Sequence, residues 1–346
     1  MRYDRPEVEG MQTRIKLGVR ATGHVGGLLV RRLRHGPARP SWPLAYELAV
    51  GYVRWRFALP MSFSDARRSL DEVPALGALR GVQTTERAYG GVRCVEHTRA
   101  SPSSQSASPS SSAGARDERV LVYLHGGGYC TGSPWSHRPI LGALTRTLGA
   151  RVVAVDYRLA PEHPCPAAID DALAVLRALL ADGVAPERLW LAGDSAGGGL
   201  TLATLVAARD AGLPTLAGAV PLSPWTDLTG GQPSHGAHGL DYLPEPERLV
   251  TYARAYAGAL PLTDPRVSPL HADLRGLPPL LVLVGGAERL RDDGVLVAAR
   301  AKEAGVDVTL HVEPDEIHVW PMFAPWSPRA QDAIDRVAAF VDRTAR

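Results

Sequence analysis

The chain has 346 residues, enough for one large domain or two ordinary ones, and its 45% apolar and 21% charged content is that of a globular protein. Disorder, a collagen-like array and a membrane bundle are thereby excluded as overall descriptions. Lys and Arg number 38 against 36 Asp and Glu, a net +2, so no global charge draws the chain toward nucleic acid.

In chain order, the stretch between Glu9 and Glu47 holds no acidic residue, while Arg14, Lys16, Arg20, Arg31, Arg32, Arg34 and Arg39 are all basic. Such an arm can dock on an anionic membrane, but a solvated helix or frayed terminus is the plainer reading. From Trp42 to Met61, Leu44, Leu48, Tyr52, Trp55 and Leu59 recur at helical spacing, interrupted by Glu47, Arg54 and Arg56. That pattern predicts an amphipathic helix able to cover something built later in the chain. Residues 100–115 are almost wholly Ser, Ala, Pro, Gln and Gly, a low-complexity loop too polar to order itself. It separates two β-like runs, Gly91–Thr98 and Arg119–Leu124, for which a hairpin with an enlarged loop is expected.

From Arg119 onward, β-rich runs fall at Val120–Leu124, Arg151–Val155, Arg188–Ala192, Ala217–Leu222, Leu280–Val284 and Val306–Val312. Helical segments such as Ala167–Asp182 and Gly199–Ala211 lie between most of them. Strands separated by helices imply an α/β fold with a mostly parallel sheet, and reactive groups then gather beyond the carboxyl ends of the strands.

Two motifs pass that positional test. Gly193-Asp194-Ser195-Ala196-Gly197 follows an apolar strand and opens a helix, the pattern of a nucleophile held on a sharp turn. His125-Gly126-Gly127-Gly128-Tyr129 directly follows Val120–Leu124, and its bare amides can converge on one oxygen. Gly126 and Gly127, with the amide of Ala196, are the expected oxyanion hole. A phosphate cradle is the competing reading of three glycines, but no Gly-Lys-Ser/Thr follows.

The base for Ser195 is expected at His318, which comes a few residues after the last strand and before a final helix, Arg329–Thr344. His311 lies inside that strand, and His125 and His163 read as loop anchors. Of the carboxylates after Leu280–Val284, Glu288 is nearest the strand end and is preferred as the acid over Asp292 and Asp293. The order serine, acid, histidine is that of α/β-hydrolases and requires neither cofactor nor metal.

These motifs, with Asp156-Tyr157-Arg158-Leu159-Ala160-Pro161-Glu162 and Asp264-Pro265-Arg266-Val267-Ser268-Pro269-Leu270, make the sequence from about Arg119 onward resemble the hormone-sensitive-lipase-like bacterial α/β-hydrolases. The resemblance implies an eight-stranded, mainly parallel sheet with a helical cap, and a serine carboxylesterase acting on short-to-medium acyl esters through an acyl-serine intermediate. The implied domains are cap helices with the basic arm over 1–75 and a catalytic domain over 76–346, with a cap insertion over 239–260. Glu288-Arg289-Leu290 stands where the family usually has Asp-Pro-Leu, and Val319-Trp320 replaces Gly-Phe. Tyr129, Trp225 and Trp320, with Met322 and Phe323, are candidates for lining the pocket. A lactone, amide or acetylated-metabolite hydrolase using the same residues, or a non-catalytic receptor on this fold, are the alternatives.

The expected partner is a small-molecule ester, not nucleic acid; a monomer and a homodimer both remain open. Cys94, Cys130 and Cys165 are an odd, widely spaced set from which neither a disulfide framework nor a zinc site can be assembled. With no charged-then-apolar leader and no apolar run beyond about ten residues, a cytoplasmic location is expected.

Overall fold

A computed structural model describes residues 22–72, 78–100, 118–236, 241–324 and 326–345. Eight strands form one sheet in the order β1-β2-β4-β3-β5-β6-β7-β8. They are β1 (Val82–Tyr89), β2 (Val92–Arg99), β3 (Val120–Leu124), β4 (Arg151–Val155), β5 (Leu189–Asp194), β6 (Gly218–Leu222), β7 (Leu280–Gly285) and β8 (Val308–Glu313). β1 runs antiparallel to β2, and β2 antiparallel to β4; every other pairing is parallel.

The central strands read as unbroken apolar runs because both faces are covered. Period-2 alternation divides their side chains. Val120, Val122 and Leu124 join one core with Leu189, Leu191 and Val282, under α5 (Ala167–Ala181), α6 (Ala196–Asp210) and α8 (Arg291–Glu303). Leu121, Tyr123, Trp190 and Leu283 join the other, under α4 (Arg138–Leu148) and α9 (Pro328–Thr344). A helix over 22–35 (α1), α2 (Leu44–Ala58), α3 (Phe63–Asp71) and α7 (Pro246–Ala257) complete the described helices. None of the described helices is long and apolar enough to cross a membrane.

One expectation fails. β2 does not pair with β3: its second neighbour is β4, with Val95 opposite Ala154, and its hairpin partner is β1, reached through the Gly90–Gly91 turn. Chain adjacency is overridden because β3 takes the interior position between β4 and β5. The Ser-rich loop, like Arg14, Lys16 and Arg20 of the basic arm, lies outside the described residues. Arg31 and Arg32 are described, and both pair with the buried carboxylate of Glu47 on α2.

Candidate active site

Ser195 is the single residue between the end of β5 and the start of α6, with φ 54° and ψ −121°, a conformation costly for any residue with a Cβ. Surrounding bonds hold it there. Its amide donates to the Leu222 carbonyl (2.9 Å), and its own carbonyl accepts from Trp225 (2.9 Å) and Gly199 (3.0 Å). The flanking glycines are required by close approach: a Cβ on Gly193 would lie 2.4 Å from the Gly197 carbonyl oxygen, and one on Gly197 2.0 Å from that of Leu124. The result sets the serine at the carboxyl end of the sheet and at the positive end of α6.

The glycine loop after β3 is tied to this elbow through Asp194. That carboxylate accepts from the Tyr123 hydroxyl (2.7 Å) and the Gly126 amide (3.1 Å), and lies 3.3 Å from His137 Nε2. Burial pushes the Asp194 carboxyl up, but His137 and Tyr123 outweigh it and hold it below its ordinary value. The expectation that Gly126 serves an oxyanion is therefore corrected: its amide is committed to Asp194. The amides of Gly127, Gly128 and Ala196 have no acceptor among the described residues. Gly127 (φ 118°) and Gly128 (φ 62°) take left-handed conformations that turn the loop over the serine. His125 stacks on Tyr157 at 4.2 Å, and burial pulls its imidazole down to about 3, so it is a neutral anchor.

His318 lies in the loop after β8 and is 1% exposed. Its Nδ1 lies 3.5 Å from Glu288 Oε2, and Nε2 has no partner among the described residues. Glu288 sits in the turn after β7, also buried, and its Oε2 accepts from the Ser223 hydroxyl at 2.6 Å. The same hydroxyl oxygen accepts from the Val319 amide (3.0 Å), so one serine at the end of β6 fixes both the carboxylate and the histidine loop. Burial lowers the His318 imidazole, but the bond and charge of Glu288, with Asp241 and Asp194 behind it, raise it above its ordinary value. Burial raises Glu288 more than His318 and Ser223 lower it.

Asp292 and Asp293, the alternative acids, do other work. Asp292 accepts from the Ser234 amide (2.9 Å), while Asp293 accepts from the amides of Thr226 (2.9 Å) and Asp227 (2.7 Å) and meets His235, stapling 226–235 onto α8. His311 lies beside Glu313 within β8, and His163 is exposed in its loop.

Ser195 and His318 open onto one cavity of about 620 Å3. The glycine loop and the serine form its floor. Its far side comes from α2, α3 and α7 and from Tyr242 to Pro244, all outside the sheet layers. Trp225, Met322 and Phe323 line it. Tyr129 and Trp320 do not. Tyr129 stacks on Tyr256 of α7 with ring centroids 3.7 Å apart, and Trp320 fills the core beside Ile317 and Phe323. Both aromatics pack inward, where their area is worth more than at the cavity wall.

Three features escaped the sequence reading. Ser223 carries no motif. His137 is one more histidine until it meets Asp194. Arg67 of α3 reaches across to the segments after β3 and β4: its guanidinium donates to the carbonyls of Cys130 (2.7 Å) and Ala160 (2.7 Å) and pairs with Glu162 (2.7 Å). A charged residue in the middle of a short helix gave no signal of that span. Among the described residues no cluster of His, Cys, Asp and Glu could hold a metal ion.

The chain's likenesses point one way. A family profile described as alpha/beta hydrolase fold matches residues 121–322. An acetyl-hydrolase of Streptomyces hygroscopicus is 46% identical over 231 residues, 66% of this chain and 77% of that one. A carboxylesterase of Mycobacterium tuberculosis is 36% identical over 233 residues, 65% and 73% of the two chains. Among solved structures, an esterase of the bacterial hormone-sensitive lipase family superposes with a TM-score of 0.77 at 42% identity, covering 86% of this chain and 97% of that one. With the strained serine between strand and helix, and the sheet order that carries it, these place the chain in the α/β-hydrolase family, among the bacterial hormone-sensitive-lipase-like esterases.

Proposed function

We propose that the protein is a serine carboxylesterase that hydrolyses short-to-medium acyl esters, with Ser195 as nucleophile, His318 as base and Glu288 as its acid. The observation that carries this reading is the shared cavity: the strained serine and an imidazole with a free Nε2 both face it, while the opposite ring nitrogen faces a buried carboxylate.

His318 Nε2 takes the Ser195 proton as Oγ attacks the ester carbonyl carbon, and Glu288 stabilises the imidazolium that forms. The carbonyl oxygen, now an oxyanion, receives hydrogen bonds from Gly127, Gly128 and Ala196, where loss of one donor typically costs about 2.7–4 kcal/mol of barrier. Collapse breaks the bond to the alcohol, which leaves with the proton returned by His318. Water then repeats the sequence on the acyl-serine, releasing the carboxylic acid. No cofactor enters any step. The cavity supports an acyl chain of short-to-medium length: it lies within the usual range for small-ligand sites and is walled mainly by apolar side chains. The names of the relatives, acetyl-hydrolase and carboxylesterase, are consistent with that substrate class.

In this reading the described parts of 1–75 and 239–260 cap a catalytic domain that begins at 76, and the three unpaired, buried cysteines are at home in the cytoplasm. The test is a p-nitrophenyl ester series, from acetate to palmitate, on wild type and Ser195→Ala. Turnover peaking at short-to-medium chains and lost in Ser195→Ala supports the assignment. An inert wild type refutes it, and activity climbing steadily to palmitate refutes the chain-length part.

A further inference from the structure

The cavity wall is not wholly apolar. Arg56, in the last turn of α2, and Arg248, in α7, both line it, and neither has a carboxylate partner among the described residues. Arg248 Nη1 and Nη2 donate to the carbonyls of Phe57 (2.6 Å) and Leu59 (3.3 Å), which end α2 beside Arg56. Arg56 Nη2 donates to the Ser69 hydroxyl, and its Nη1 lies 3.7 Å from Met61 Sδ. Tyr252, one turn along α7, brings its phenol to Arg248. Two half-buried cations and a hydroxyl thus converge on one end of the cavity.

Other guanidiniums near the cap are matched with acids: Arg67 with Glu162, Arg289 with Glu245, and Arg31 and Arg32 with Glu47. Withdrawing a cation from water into apolar surroundings is costly unless a counter-charge meets it. Carbonyl and hydroxyl acceptors supply only partial charges, and each of these arginines keeps N–H donors that no atom of the described residues takes. A guanidinium fork matches a carboxylate in geometry and charge. We infer that Arg56 and Arg248 form an anion subsite, and that the preferred substrate is an ester carrying a carboxylate at the end remote from the scissile bond.

A space of 620 Å3 is on the order of 10 Å across, which a chain of a few methylenes can span between serine and subsite. The inference rests on the esterase reading above and names the substrate class of that same site.

The test compares charged esters with neutral near-isosteres. Monomethyl adipate against methyl heptanoate places the carboxylate on the acyl limb; 4-acetoxybutanoate against pentyl acetate places it on the alcohol limb. The readout is the ratio of kcat/KM, charged to neutral. For at least one pair the wild-type ratio should be one or more, fall about ten-fold or further in Arg56→Met, and be largely retained in Arg56→Lys. It should also fall as ionic strength rises. Ratios well below one in both pairs, unmoved by Arg56→Met, would overturn the subsite. If Arg56→Met does not fold, Arg56→Lys and the salt dependence of the wild-type ratio decide, and a ratio indifferent to salt overturns it. A wild type that hydrolyses none of the four esters overturns the esterase reading instead.

Discussion

Replacing Glu288 with Gln preserves volume and a hydrogen-bond acceptor but removes the charge facing His318. At the observed 3.5 Å between Nδ1 and Oε2, an effective dielectric of about 20 gives roughly 5 kcal/mol of attraction to an imidazolium. Each 1.4 kcal/mol of barrier is about ten-fold in rate, so kcat on p-nitrophenyl butyrate should fall by about 10^3-fold or more. The fold should survive, as followed by circular dichroism. The pH profile supplies a second reading. His318 must be neutral to accept a proton, and Glu288 raises its pKa above the ordinary value. The acidic limb of kcat/KM in wild type therefore lies above about pH 6.5, and Glu288→Gln should move it to lower pH. Asp292→Asn, on the outer side of α8, should leave kcat within a few-fold. A Glu288→Gln enzyme within ten-fold of wild type, or an Asp292→Asn enzyme as damaged as Glu288→Gln, refutes the assignment.

Ser223→Ala removes the 2.6 Å bond to Glu288 and the 3.0 Å bond from the Val319 amide. It should lower kcat about ten-fold and stability by about 1–3 kcal/mol in urea melts, and unchanged kinetics would show that the histidine loop is held otherwise. Burial raises the carboxyl of Glu316, bonded to Tyr46 of α2, to about 7. Between its unfolded pKa, near 4.5, and 7 the folded state holds a proton the unfolded state has lost, so this residue's contribution to stability declines as pH rises through that window. The Tm of Glu316→Gln relative to wild type should therefore increase between pH 5 and pH 8, and a constant difference contradicts the linkage. Arg67→Ala cuts α3 from the glycine loop and Glu162. It should raise KM more than it lowers kcat, and an effect confined to kcat would argue that Arg67 acts on the chemistry.

The central strands were legible because burial on both faces writes them as short apolar runs; β3 and β4 match their expected limits residue for residue. β1 was not, since its Val-Gln-Thr-Thr-Glu-Arg-Ala-Tyr is mostly exposed at a sheet edge and lacks apolar alternation. The expected hairpin failed for a related reason: nothing in β2 records which strand will lie beside it once a long loop intervenes. At the site, the positions of Ser195, Glu288 and His318 follow from strand ends, which a sequence displays. The choice among three successive glycine amides does not, because it depends on where the Asp194 side chain points. Tyr129 and Trp320 show the same limit, since an aromatic next to a motif fits a core and a cavity wall equally well on paper.

The groups proposed to react stand on loops rooted in β5, β7 and β8, whereas much of the cavity wall comes from α2, α3 and α7. Those helices are separate stretches of chain, held to the sheet body by bonds such as those of Arg67 and Tyr46 and by packing such as Tyr256 on Tyr129. On the proposed assignment, exchanging a few turns of helix would change which molecules are admitted without touching Ser195, Glu288 or His318.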